Sequence, residues 1–345
     1  MADTSYAPSS PSLGRPVRGG AHPPWPERDA GRPARRFLLA FLGLFLGGIG
    51  ALAGLHMALA YQALLPPPPL AATDCIDGKL ALLREAPLED RTLIAVGSSV
   101  TWRNLDMGLL EQRLPGVRAY NAAPCFLHVD QTAFLTGLLL ERAPQLRTVL
   151  SVMAPRDFES CGPQDAAFVD EDLARAYLAG QVPGWLPYVT GFRPLYLARE
   201  ALARWRGTSL SPEDAIADPL GSSILVRPAS YQPAPVLDPD CFAALRGFDA
   251  MLADRGVTLV VATLPAKPEW SRLHDPQGRL VRSWTQAVTA ALGGDARRVI
   301  DGRALPWPDA RFADAAHLLY PNHRDFTAHL ARSLAERRLA GGSAE

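Results

Sequence analysis

The sequence has no excess of charge of either sign: 35 Lys and Arg balance 35 Asp and Glu. A nucleic-acid-binding surface ordinarily carries a basic excess, so no nucleic acid is expected as a partner. The four cysteines include no CxxC pair, which argues against a zinc ribbon or a thioredoxin-type redox centre. There is no HExxH, no clustered histidine and no acidic pair at ligand spacing, so no metal is expected. A glycine-rich nucleotide loop is missing too, since Gly47-Gly48 lies inside an apolar run. No cofactor is therefore expected, and no internal repeat is visible.

Proline is plentiful, at 32 residues, and unevenly spread. Residues 1–36 combine Pro, Ser and Gly with few large aliphatics. Such a segment buries too little apolar surface to offset its ordering entropy, so a disordered tail is expected. The run Phe37 to Leu65 follows, and no charged residue occurs between Arg36 and Asp74. A bilayer core of about 30 Å needs roughly 20 apolar residues as a helix. A membrane helix over 37–65 is the expectation. Arg35 and Arg36 flank one side and Asp74 and Asp77 the other. The positive-inside rule then places the tail in the cytoplasm and the rest of the chain outside it. A cleaved signal peptide, with Ala58-Leu59-Ala60 at the cleavage site, is the competing reading, but the run exceeds the usual h-region. The Gly43/Gly47 and Gly50/Gly54 spacings suit helix dimerisation, although glycine is common in membrane helices anyway. Pro66 to Pro69 are expected to form a stiff spacer holding the next domain off the membrane, within a linker and lead-in covering 66–90.

From residue 91 short β-rich runs alternate with amphipathic stretches. Strands are expected over Thr92–Val96, Val117–Tyr120, Thr148–Met153, Thr258–Thr263 and Arg298–Ile300. Helices are expected near 105–114, 130–141, 242–255, 283–292 and 325–338. This alternation implies an α/β domain with a parallel sheet over 91–340. Residues 160–240 break the rhythm and read as an insertion, with helices over 171–178 and 195–205. In open α/β sheets, ligands bind beyond the C-terminal strand ends. Gly97-Ser98-Ser99, Asn121-Ala122-Ala123, Ala154-Pro155-Arg156-Asp157 and the segment Asp314 to His317 all stand there and should converge on one edge.

A serine hydroxyl becomes nucleophilic when a histidine takes its proton and a carboxylate fixes that histidine's tautomer. Ser99 stands where a strand turns into a helix, with turn amides available to an oxyanion. Asp314 and His317 are three residues apart and are expected on one side of a helical turn. By themselves these residues also fit a serine-rich turn, a capping aspartate and a surface histidine. The blocks GSSVTWRNLD and DAAHLLYPNHRDFTAHLARSL, in that order, resemble the SGNH/GDSL hydrolase superfamily over roughly residues 91–340, the insertion unmatched. With the apolar N-terminal run, they are similar to its membrane-tethered, exported branch, which includes acyl-transfer proteins that decorate cell-wall polymers and exopolysaccharides.

That resemblance implies a flavodoxin-like, three-layer α/β/α parallel sheet carrying an insertion and preceded by one transmembrane helix. It implies Ser99 as nucleophile, His317 as base and Asp314 as the orienting acid. Ser98 takes the family's Asp position and is the alternative nucleophile; His323 is the competing base. The family's oxyanion Gly and Asn are not matched: Asn121-Ala122-Ala123 lacks the Gly, and Ala154-Pro155-Arg156-Asp157 replaces Gly-x-Asn-Asp. Arg156 is expected to supply positive charge at the site, or else to pair with Asp157 or Glu159. Trp102 would line an acyl or sugar pocket, or be buried on a helix face. His128 reads as a polar helix cap.

The expected function is a serine acyltransferase or esterase on O-acyl groups of an envelope polymer or exopolysaccharide. The acylated polysaccharide or ester is its substrate, and a separate membrane protein could serve as acyl donor. The alternatives are an exported lipase or esterase on small esters, and a non-catalytic scaffold or binding protein of a polysaccharide export complex. Outside the cytoplasm the four cysteines can pair. Cys161 with Cys241 would staple the base of the insertion and Cys75 with Cys125 would pin the linker, four buried thiols being the alternative.

Overall fold

The computed structural model describes residues 31–162, 165–209, 218–230, 232 and 234–339. It divides into two compact units, Met1–Ala58 and Leu59–Glu345. The expected tail falls outside the described residues up to position 30. Residues 31–36 belong to a long helix instead, α1 (Gly31–Tyr61). Its apolar stretch, Pro33–Tyr61, has a mean hydropathy of 2.2 and is long enough to cross a membrane. The helix thus starts and stops earlier than 37–65. It stops because Ala63 turns left-handed (φ 55°) and the Leu64 and Leu65 N–H groups both donate to the Leu59 carbonyl. The prolines beyond could not continue it.

Pro66 to Pro69 do not form a free spacer. Pro66, Pro67 and Pro69 are buried, and the Tyr188 hydroxyl donates to the Pro66 carbonyl. Helix α2 (Asp74–Glu85) follows inside the expected linker. Ile76, Leu80 and Leu83 are its core residues. Their helical spacing is masked in the sequence by Asp74, Asp77 and Lys79, which are buried as well. The folded α/β domain therefore begins before residue 91.

Five strands, β1 (Leu93–Ala95), β2 (Ala119–Asn121), β3 (Thr148–Met153), β4 (Thr258–Thr263) and β5 (Val299–Ile300), form one parallel sheet in the order β2-β1-β3-β4-β5. Buried on both faces, they read as continuous apolar runs. Ile94, Val149, Leu259 and Val261 pack on α2, α5 (Val129–Leu140), α9 (Pro239–Ala253) and α11 (Arg279–Ala291). Leu93, Ala95, Leu150, Val152, Val260 and Ala262 face the opposite way. They meet α4 (Met107–Arg113), which follows the short α3 (Ser99–Arg103), and α12 (Asn322–Glu336).

The insertion between β3 and α9 contains α6 (Glu171–Leu178), α7 (Leu186–Thr190) and α8 (Pro194–Trp205). A further short helix, α10 (Pro268–His274), follows β4. Cys161 is bonded to Cys241 and Cys75 to Cys125. The first bridge closes the insertion at its base. The second ties α2 to the loop after β2.

Lys79 is fully buried. Its Nζ donates to the carbonyls of Asn121 (3.1 Å) and Gly221 (3.0 Å) and lies 5.3 Å from the centre of the Trp102 ring. It thereby holds the returning segment around Gly221 against the end of β2. Burial pushes its ammonium down to about 7 from 10.5, against the opposing charge of Asp218. Between those values the unfolded chain binds the extra proton, so this residue's contribution to stability improves as pH rises through that window. Comparing thermal unfolding of wild type and Lys79→Met in detergent micelles checks this. The variant loses about 1–3 kcal/mol at each orphaned carbonyl, and the gap widens in favour of wild type from about pH 7 to about pH 9.

Candidate active site

The Ser99 turn is built by a close approach of backbone to side chain. A Cβ on Gly97 would stand 2.1 Å from Thr101 Oγ1. That hydroxyl donates to the Val152 carbonyl (2.9 Å) and accepts from the Val152 N–H (3.0 Å), stitching α3 to β3. Glycine is required at 97 for this reason. Ser98 caps α3: its Oγ accepts from the Val100 N–H (3.2 Å) and donates to Asp157 Oδ1 (2.7 Å). At 4% exposure, with both roles filled, Ser98 is a structural residue of the turn. Ser99 is half-buried, and its Oγ lies 3.0 Å from His317 Nε2.

Asp314 and His317 do not lie on a helical turn. They occupy a tight loop closed by an antiparallel bridge between Phe312 and Leu318. Asp314 shapes that loop by accepting the Ala316 N–H at Oδ1 (2.8 Å), and the Ala313 N–H donates to the His317 carbonyl (2.9 Å). Short-range bonding of this kind lets an aspartate reverse the chain. Both Asp314 oxygens lie 2.9 Å from His317 Nδ1. Asp314 is 2% exposed; nearby, the partly buried Arg103 guanidinium lies 4.3 Å over the Trp102 ring, its burial pushing it below the usual arginine value against the charge of Asp314.

Asn104, fully buried, joins the two halves. Its Nδ2 donates to the carbonyls of Val100 (2.7 Å) in α3 and Ala316 (3.0 Å) in the histidine loop, and its Oδ1 accepts the Leu318 N–H (2.7 Å). Nothing in the sequence distinguishes it from any polar residue after a short helix; only the fold brings residue 104 to residues 316 and 318.

A pocket of about 430 Å³, its open mouth included, lies over these groups. Ser98, Ser99, Arg156, Asp157 and His317 line it, with Phe126, Leu127 and His128 forming another wall. Phe126 is exposed and left-handed (φ 62°), beside the bridged Cys125. Of this wall the sequence points to His128 alone; for Phe126 and Leu127 the available signal is an aromatic next to a cysteine beyond a strand end. His128 stands at the N-cap position of α5, where its backbone N–H donates to Gln131 Oε1 (3.1 Å), but its side chain lines the pocket and makes no capping bond.

Three expected site residues lie elsewhere. Asn121 turns inward, donating to the Thr101 and Trp102 carbonyls (3.3 and 3.2 Å) and accepting the Ala123 N–H (3.1 Å). It fastens the end of α3, and it leaves the Ala123 amide already bonded. Ala123 is fully buried against the Cys75–Cys125 bridge, and Trp102 is buried there too, on α3, in accord with its helix-face alternative rather than with a pocket role. The competing base, His323, is buried in α12 with the Tyr320 ring 5.6 Å away and does not line the pocket. Burial pushes its imidazole below the usual value. Among the described residues, no group of three His, Cys, Asp or Glu side chains is placed to hold a metal.

No known family model matches the chain, and no curated protein matches it.

Asn104→Ala removes three buried hydrogen bonds and orphans their partners. A loss of about 2–4 kcal/mol in unfolding free energy is expected, read by denaturant titration of the full chain in micelles. Asp157 supplies a pH test. Burial pushes its carboxyl up to about 6 from 3.8, against its bonds from Ala154 and Ser98. The folded chain therefore holds the extra proton between those values, and this residue's contribution to stability falls as pH rises through them. Asp157→Asn should abolish that part of the decline when melting temperatures are compared from about pH 4 to about pH 7.

Proposed function

We propose that the chain is a membrane-anchored, SGNH-like serine acyltransferase or esterase acting on O-acyl groups of an envelope polymer or exopolysaccharide. The observation that carries this reading is the relay Ser99 Oγ–His317 Nε2, 3.0 Å, and His317 Nδ1–Asp314, 2.9 Å, at a solvent-open pocket. The sheet order 2-1-3-4-5 supports it, being the flavodoxin-like order. The Arg35-Arg36 flank and the two disulfides favour placing the domain outside the cytoplasm.

In this mechanism Ser99 Oγ attacks the ester carbonyl while His317 Nε2 takes its proton. Asp314 fixes the tautomer with Nδ1–H and balances the imidazolium. The tetrahedral intermediate collapses to an acyl-Ser99, and His317 returns the proton to the departing alkoxide. A glycan hydroxyl, or water, then attacks the acyl carbon as His317 takes its proton. Collapse releases the new ester or the acid, and the proton returns to Ser99. Arg156 at the pocket wall contributes positive charge near the developing oxyanion.

A non-catalytic scaffold is the second reading. The bonded Ala123 amide favours it, because it removes a donor that the superfamily's oxyanion site would use.

Fluorophosphonate labelling of the full chain in micelles, read by peptide mapping, tests the proposal. One adduct is expected, on Ser99, and lost in Ser99→Ala and in His317→Ala. No adduct, together with cellular function retained by Ser99→Ala, would select the scaffold. Acid released from a soluble ester without any acceptor would select the plain esterase.

A further inference from the structure

Helix α8 is turned inside out for a soluble domain. Tyr196, Glu200 and Arg204, at i, i+4 and i+8, face the protein. The Tyr196 hydroxyl donates to Asp77 (3.1 Å), Glu200 is buried, and Arg204 approaches Asp74 (3.9 Å). The opposite stripe is apolar. Leu195, Ala198, Leu202 and Trp205, at i, i+3, i+7 and i+10, are all exposed, Leu195 to 87% and Trp205 to 69%. The preceding segment extends the surface with Trp185, Val189 and Phe192, each more than half exposed. Arg193, Arg199 and Arg206 are exposed on the same segment.

We propose that this α7–α8 face lies on the lipid surface of the membrane that α1 crosses, as an interfacial helix with its apolar stripe among the acyl chains. Two observations choose lipid as the occupant. The first is the tether. Tyr188, in α7, bonds the Pro66 carbonyl, and a Cβ on Gly191 would stand 3.0 Å from the Pro69 carbonyl oxygen. Pro66 follows Tyr61, the end of the apolar helix, by five residues. A chain of that length spans at most about 18 Å, so connectivity alone keeps this face near the membrane boundary. The second is chemistry. Tryptophans combined with leucines and an arginine collar match the boundary between acyl chains and anionic headgroups. The inference depends on α1 as anchor and not on Ser99 chemistry.

The test places the full chain in nanodiscs of phosphatidylethanolamine and phosphatidylglycerol whose acyl chains carry bromine, a contact quencher of tryptophan. Incorporation into the discs reports the α1 anchor separately. Wild type should lose emission relative to unbrominated discs. The conservative Trp185→Phe/Trp205→Phe double variant should lose most of that quenching while melting as wild type does. Equal quenching in wild type and double variant would overturn the proposal, as would unquenched wild type. Unquenched wild type that cross-links through this face to a second copy, or to another protein, would reassign the surface to a protein contact.

Discussion

The amide of Asn104 holds the candidate site together. The Asn104 side chain bonds both the short serine helix at Val100 and the histidine loop at Ala316 and Leu318. These segments stand over 200 residues apart in the chain. With its three bonds made inside the protein, shielded from competing water, the 3.0 Å approach of Ser99 to His317 is fixed by buried groups. Thr101 does the same on the other side, locking α3 to β3 through both backbone groups of Val152.

Around this clamp, polar groups that a motif comparison would assign to chemistry are used for construction. Ser98 and Asp157 bond each other and cap their own turns. Asn121 spends its whole amide on α3 and on Ala123. The pocket wall instead comes from the loop after the Cys75–Cys125 bridge, where Phe126 to His128 reach the site. Ser99, Arg156 and His317 line the pocket beside these structural groups.

The insertion and the N-terminal lead-in form one region. Asp74 and Asp77 of α2 receive Arg204 and Tyr196 of α8, and the proline run lies against α7. Burial pushes the Asp77 carboxyl up to about 7 despite its bonds from Ala71 and Tyr196. Charged residues that looked like a solvated linker are therefore the seam between two helices. The apolar residues that would ordinarily fill such a seam point outward.

The sequence alone determined the parts whose signal is local. The apolar run marked α1. Continuous apolar segments marked β3 and β4 at their observed bounds, because strands buried on both faces need no partner to be recognised. The order of Ser99, Asp314 and His317 also pointed to residues that do meet. Only the tertiary structure decided the rest. It showed α2 as part of the core, Asn121, Ala123 and Trp102 as buried supports, and the histidine on a bridged loop rather than a helical turn. In each case the deciding bond runs between distant segments or turns a side chain inward. Neither the spacing nor the chemical type of a residue reports which way it faces.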